Sequence, residues 1–355
     1  MTADGAVLHV DLDALAANWR LLSERHRAPV AGVLKSDGYG LGAVPVAARL
    51  LAEGCRHFFV AHLSEALALR PAIPGSLLAP LNGLWPGDAP AYRAHGISPV
   101  LGSLSEVDEW RDAGGGPALL HVDSGLSRLG LSPAELDTLA SDPGRLRDTP
   151  ILYVMTHLAS AEDSADPFNE AQRARFAAAC ARLPPAPRSL ANSSGIFLGP
   201  GFRSDLARPG AALYGINPTP GRPNPMRPVV RLQARVLQVR ELPPGASVGY
   251  NGAWRAARPS RIATVCAGYA DGWLRSQSNR GHACFDGVPV PLVGRVSMDL
   301  TTFDVTEAPG VRAGGCLDLI GPGVTLDDVA AAADTNGYEI LTSLGSRYRR
   351  DYRAA

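Results

Sequence analysis

The chain has 355 residues, 34 basic against 34 acidic, with 46% hydrophobic and 19% charged side chains. That length accommodates two domains with their own cores, and the balance excludes a disordered or coiled chain. A formal net charge of zero gives no bulk attraction to nucleic acid or anionic lipid, and no run approaches the roughly 18–20 apolar residues of a membrane span.

The amino-terminal MTADGAVLHVDLDAL has no basic region leading into an apolar stretch, so it does not read as a signal peptide. From residue 28 to about 215, short apolar runs alternate with amphipathic stretches. The expected strands are PVAGVLK, HFFVAHL, GSLLAPL, ISPVLG, PALLHVD, ILYVMTHL and RSLAN. Between them stand helix start signals. Ser103 with Glu106 and Ser132 with Glu135 fit capping boxes, the second with Pro133 at the first helical position. Asp166 and Pro167 open DPFNEAQRARFAAACARL in the same way. Seven or eight such units, with no G-x-G-x-x-G after the first strand, predict an α/β fold of the (β/α)8 TIM-type barrel kind over a doubly wound sheet.

A Pro/Gly-rich stretch, NPTPGRPNPMRP at 217–228, marks a change of pattern. Beyond it VVRLQARVLQVRELPPG, RIATVCAGYADGW, ACFDGVPVPLVGRVSMDLTTFDV and GCLDLIG read as strands, and only TLDDVAAAADTNGYEILTSLG reads as helix. The expected division is a barrel over 1–222 followed by a mostly β domain over 223–355.

Cys55, Cys180, Cys266, Cys284 and Cys316 are odd in number and scattered, with no C-x-x-C pair. That argues against a disulfide framework or a structural metal site and points to a reducing, cytoplasmic setting. Of the 34 basic residues, 33 are arginine, and Lys35 is the one lysine. A general preference for arginine explains the 33 but not the exception. Arginine cannot act as a neutral amine, so a lone lysine points to amine chemistry, with Schiff-base formation first.

In a β/α barrel, reactive groups collect where strands end. Those positions hold Lys35, Asp123 with Arg128 beyond it, His157, Asn192 with Ser193, and Arg208. Each alone has an ordinary reading: a structural histidine, surface ion pairs, turn chemistry. Together around one rim they suit an anionic aromatic cofactor bound covalently by the lysine, its phosphate on hydroxyls and backbone amides.

The motifs resemble those of the alanine racemases. VLKSDGYG resembles that family's lysine motif, mapping Lys35 and Tyr39, and VDSGLSRLG its segment with a substrate- and cofactor-contacting arginine, Arg128. MTHLASAED, LANSSGIFLG and DLARPGAALYG map His157, Asn192, Ser193, Arg208 and Gly210. In the second domain VGYNGAW, AGYADGW and GRVSMD map Tyr250, Tyr269 and Met298. Within SLGSRYRRDY, Tyr348 is the candidate phosphate-contacting tyrosine. The resemblance runs in order from about residue 9 to 350, and the order of eight motifs makes it specific.

The resemblance implies a fold-type III enzyme that carries pyridoxal 5'-phosphate on Lys35. It interconverts L- and D-alanine, for peptidoglycan or for alanine catabolism. It implies a head-to-tail homodimer in which Tyr250 and Met298 enter the partner's site. Lys35 would serve the D-enantiomer and Tyr250 the L-enantiomer, the phenol assisted by a chain through His157 to Arg208. Two positions depart from the family pattern. His121 stands where many members carry a carbamylated lysine, and Leu41 where histidine is common. A racemase of broader substrate range, an amino-acid decarboxylase of the same fold and a non-catalytic cofactor carrier are the rival readings. The GRVSMD stretch speaks against the decarboxylase, and the whole second domain against the carrier.

Overall fold

The computed structural model describes residues 5–354, so the reading of the amino-terminal segment rests in part on residues outside the description. Parallel strands His57–Val60, Leu77–Pro80, Ala118–His121 and Ile151–Met155, with the shorter Gly32–Val33, Val100–Leu101 and Arg188–Ser189, form the staves of a barrel. Ser98 N–H bonds to Leu78 O at 3.0 Å across the gap between the third and fourth staves. Residues 206–208 supply the eighth, bridging Ser189 to Leu206 and Val30 to Ala207. Sequence pattern cannot show this stave, because LARP is too short and proline-bound to read as a strand. The barrel staves read as near-continuous apolar runs because both faces are covered: Phe58, Phe59, Leu78, Ala79, Leu119 and Leu120 are fully buried.

Helices follow the expected start signals, with small differences. Ser132 and Glu135 form a reciprocal capping box ahead of Pro133–Ser141. Ser103 caps Leu104–Asp112, while the Glu106 carboxylate takes the Gly102 N–H at 2.5 Å. Asp166 accepts from Phe168 N at 2.8 Å and starts Phe168–Cys180.

The β domain is built on one long strand, Val230–Leu242, whose first half buries alternate residues Val230, Leu232, Ala234 and Val236. It pairs antiparallel with Cys316–Ile320 on one side and with Ala6–Asp11 on the other, while its second half pairs with Ser260–Val265. Arg349–Arg353 then pairs parallel to Ala6–Asp11. The β domain therefore takes strands from both ends of the chain, and Ala6–Asp11 lies with it in space although it precedes the barrel in sequence. The single helix expected near the carboxyl end is two, Leu326–Ala333 and Gly337–Ser343. Asp334 turns left-handed (φ 57°), and Asn336 caps the second helix through its bond from Glu339 N. That break turns Asn336, Tyr338 and Thr342 towards the barrel mouth.

Among the described residues no helix is long and apolar enough to cross a membrane. All five cysteines are free.

Candidate active site

A cavity of about 490 Å³ opens at the carboxyl ends of the barrel strands. Lys35, Tyr39, Arg128, His157, Asn192, Ser193, Arg208 and Gly210 all line it, eight residues from five separate stretches of sequence. Tyr250, Tyr269, Met298 and Tyr348 do not.

Lys35 follows Gly32–Val33 and begins a turn of unusual hand. Ser36, Asp37, Gly38 and Tyr39 have φ of 55°, 52°, 63° and 55°. Left-handed backbone costs a residue with a Cβ on the order of 1–2 kcal/mol, so the surroundings must hold it. They do so from several directions. Glu65 accepts from Ser36 N at 2.6 Å, and Asp37 accepts from Ala43 N at 2.8 Å. Arg350, on the last strand, donates to Gly40 O at 2.7 Å, and Tyr352 donates to Leu41 O at 2.9 Å. The lysine is thus seated on backbone that the last strand of the chain helps to fix.

Burial, and secondarily the Arg128 guanidinium, lower the Lys35 pKa, while Glu65 opposes them. A larger share of neutral amine follows, as nucleophilic or basic work requires.

Ser193 and Gly210 shape the far wall. Ser193 Oγ accepts from Gly210 N at 3.1 Å and Ala212 N at 3.2 Å, at the start of the turn Ala211–Tyr214. A Cβ at Gly210 would collide with the Tyr39 hydroxyl. Two backbone amides, a serine hydroxyl and a phenol therefore converge on one spot, a cradle suited to a phosphate. Tyr39 is fixed there by stacking on Tyr214, ring centroids 4.6 Å apart, and Tyr214 donates to Val33 O. Asn192 accepts from Gly195 N at 2.9 Å and donates to Leu158 O at 3.3 Å, so it ties two rim segments together.

Arg208 is buried and donates to Ser189 Oγ and to Thr156 O. Its hydrogen bonds do not run to His157, as the expected chain required; its influence there is carried by charge. Burial first and Arg208 next push His157 down to about 3 and His121 down to about 4. Both imidazoles are therefore neutral near neutral pH. Burial alone lowers Arg208 to about 10, which leaves the guanidinium charged.

Arg128 is exposed to the cavity on the loop after Ala118–His121. The loop is closed at its base by Leu131 N–His121 O (2.8 Å) and Asp123 N–Leu131 O (3.1 Å). Inside it, Asp123 accepts from Gly125 N and Ser127 N. Asp123 is thus an anchor for the arginine's loop.

Tyr348 corrects an expectation. It is 3% exposed, its hydroxyl has no hydrogen-bond partner, and it lies outside the cavity. The tyrosine that the β domain sends to the cavity is Tyr338, whose hydroxyl donates to Glu162 at 2.7 Å. The signal was the N-cap Asn336 two residues earlier, hidden while the segment read as one continuous helix.

Tyr250, Tyr269 and Met298 sit on neighbouring turns of the β domain. Tyr269 N bonds to Ser297 O and Ala270 N to Met298 O, while the backbone at Gly249 lies against Gly294 and Arg295. They are 67%, 44% and 55% exposed, with Leu300 beside them at 37%.

Comparison with known proteins matches this arrangement. The alanine racemase N-terminal domain profile matches residues 10–218, and the C-terminal domain profile matches 229–352. The chain belongs to the alanine racemase family. It is 55% identical to the alanine racemase of Acidiphilium cryptum over 347 residues, 97% of each chain. It is 51% identical to a catabolic alanine racemase of Mesorhizobium japonicum, covering 99% of this chain and 94% of that one. Among solved structures, the Bartonella henselae alanine racemase with covalently bound pyridoxal phosphate superposes with a TM-score of 0.95 at 40% identity, covering 99% of this chain and 100% of that one. The biosynthetic alanine racemase of Pseudomonas aeruginosa gives 0.92 at 32% identity, with the same coverage. As in the other alanine racemases, a barrel is followed by a mostly β domain.

Proposed function

We propose that this chain racemises alanine with pyridoxal phosphate held on Lys35, and that Lys35 and Tyr250 exchange the α-proton on opposite faces of the substrate. The observation that carries the reading is the chain's one lysine, which lines the same barrel-mouth cavity as the cradle of Ser193, Gly210 and Tyr39. When bound, the cofactor supplies an electron-withdrawing ring joined to the substrate nitrogen, which acidifies the Cα–H bond.

The chain's own residues do the rest. Ser193, the amides of Gly210 and Ala212 that now donate to it, and the Tyr39 hydroxyl would hold the phosphate end. Arg208, cationic and held on Ser189 and Thr156, would stand against the ring from the cavity wall. A guanidinium does not surrender its proton there, which moderates electron withdrawal and favours proton return over side reactions. Arg128 meets the substrate carboxylate. Lys35, its pKa lowered, takes or returns the proton on one face. A phenol does not act as a base near neutral pH unaided, and the Arg128 and Arg208 cations on the cavity wall would favour the Tyr250 phenolate there.

Tyr250 is absent from its own chain's cavity and exposed on the β domain. The reading therefore includes a homodimer in which each β domain completes the partner's site, with Tyr269 and Met298 beside it. Five free cysteines fit a reducing, cytoplasmic setting.

The test is proton exchange in deuterated water. Each alanine enantiomer should yield its mirror image deuterated at Cα, and other amino acids should react far more slowly. In Tyr250→Phe, exchange without inversion should survive for D-alanine, while that of L-alanine falls on the order of 10²–10⁴-fold, as for a missing general base. Equal loss for both enantiomers would assign Tyr250 a positioning role instead.

A further inference from the structure

We infer that Gln172 is a positioning residue of this site, one buried amide that keeps the Arg128 loop and the His157 turn in register. The inference rests on the reading above, in which Arg128 serves the reaction in the cavity that His157 also lines.

Gln172 lies on Phe168–Cys180 and is fully buried. Its position in the helix, four residues before buried Phe176, is one where an apolar side chain is the ordinary choice. The amide uses both its ends. Its Oε1 accepts from Ala159 N at 2.8 Å, and its Nε2 donates to His157 O and to Ser124 Oγ, each at 3.1 Å. Two of those bonds bracket His157, one on its own carbonyl and one on the amide two residues on. The third reaches the base of the loop that carries Arg128.

The bonds continue beyond Gln172. Ser124 Oγ contacts Thr156 Oγ1 at 2.8 Å, and Thr156 O receives Arg208. Ser124 and Thr156 are themselves 2% and 1% exposed. Two cavity-lining segments thus meet directly through one neutral amide, and Arg208 joins them through Thr156. Asn169, one turn earlier on the same face, holds the next part of the rim by donating to Asp163 O at 2.8 Å.

Only a side chain with an acceptor and two donors satisfies all three partners. A methionine fills the space but takes away the partner of Ala159 N and His157 O at the part-buried rim, and of buried Ser124 Oγ. A glutamate places acceptors against an acceptor when ionised. When protonated it regains one donor, and burial raises a carboxyl pKa towards the working range.

The test compares Gln172→Met and Gln172→Glu with wild type as holoenzymes. Turnover is counted per cofactor-loaded site, with the cofactor's visible absorbance and thermal midpoint recorded alongside. Gln172→Met should remain folded and loaded, because Lys35, Ser193 and Gly210 lie on other segments. Its kcat/KM for alanine should fall on the order of 10–100-fold, the size expected when reactive groups lose alignment. Gln172→Glu should exceed Gln172→Met at the acid end of the range and lose that advantage as pH rises. A merely structural role would not produce that pH dependence.

Wild-type turnover per loaded site in Gln172→Met would overturn the inference. So would a loss that only tracks unloaded or unfolded protein, or a Gln172→Glu no faster than Gln172→Met at any pH. Arg128→Leu, measured beside them, separates the two layers. If it turns over like wild type, the site reading fails and takes the inference with it; if it is slow while Gln172→Met is not, the clamp alone fails.

Discussion

The barrel mouth and the rim of the β domain carry the two halves of the proposed chemistry under opposite physical conditions. At the mouth, Lys35 stands on a left-handed turn tied by Glu65, Asp37 and Arg350, and its neighbours find hydrogen-bond partners within the same chain. At the rim, Tyr250, Tyr269 and Met298 are exposed on short turns. A covalent anchor needs a fixed seat, and one chain can build it. In the proposed dimer the partner chain would supply the surface that fixes Tyr250, which would account for its exposure in the single chain.

The largest effect should come from breaking the fixed half. Lys35→Ala should lose on the order of 10⁴-fold or more in turnover, since it removes both a proton-transfer group and the attachment point. Borohydride reduction of wild type should fix the cofactor on the peptide containing Lys35, and mass spectrometry of the digest reads this directly. A label on any other peptide contradicts the assignment.

Next comes Gly210→Ala, which adds a methyl group against the Tyr39 hydroxyl. Overpacking of this kind costs about 1–3 kcal/mol, so cofactor affinity should weaken roughly 5- to 150-fold. Adding Tyr39→Phe should recover part of the loss if the collision is the cause. Equilibrium dialysis of the cofactor measures both variants.

A smaller effect concerns pH. His121 and His157 titrate at about 4 and about 3 in the folded chain, below the ordinary 6.5. The unfolded chain therefore takes up protons first as pH falls, and their contribution is complete above about pH 6.5 and shrinks below it. Urea midpoints taken at about pH 7.5 and about pH 5 should differ less in His157→Gln than in wild type. An unchanged difference would mean that the histidine is not held neutral by its surroundings.

The smallest effect tests the corrected tyrosine. Tyr348→Phe deletes a buried hydroxyl with no partner, so stability should shift by no more than about 1 kcal/mol and cofactor affinity not at all. Tyr338→Phe, which breaks the bond to Glu162, should instead alter KM for alanine.

The same two regions differ in how far the sequence discloses them. Barrel positions were legible where a reactive residue ends an apolar run, so Lys35 and His157 could be placed from strand spacing alone. The eighth stave at 206–208 and the amide of Gln172 were not, since a bridge of two residues has no period and a polar residue on a buried helix face shows its partners only in space. The tail misled for a related reason. Asp334 and Asn336 stop one helix and start another, and reading through them hid Tyr338 in favour of Tyr348. Ala6–Asp11 has a strand pattern, but nothing local says that it pairs with residues 230–234 and 349–353.

The central claim, that one chain's fixed lysine works with another chain's exposed tyrosine, has a direct measurement. Inactive Lys35→Ala and inactive Tyr250→Phe chains are mixed under conditions of proven subunit exchange, and racemisation is followed against the parents. Random pairing makes about half the dimers mixed, each with one intact and one doubly broken site, so activity should rise to about a quarter of the wild-type value per site. Activity that stays at the level of the parents, despite exchange, would mean that each chain supplies both groups to its own site and would contradict the account.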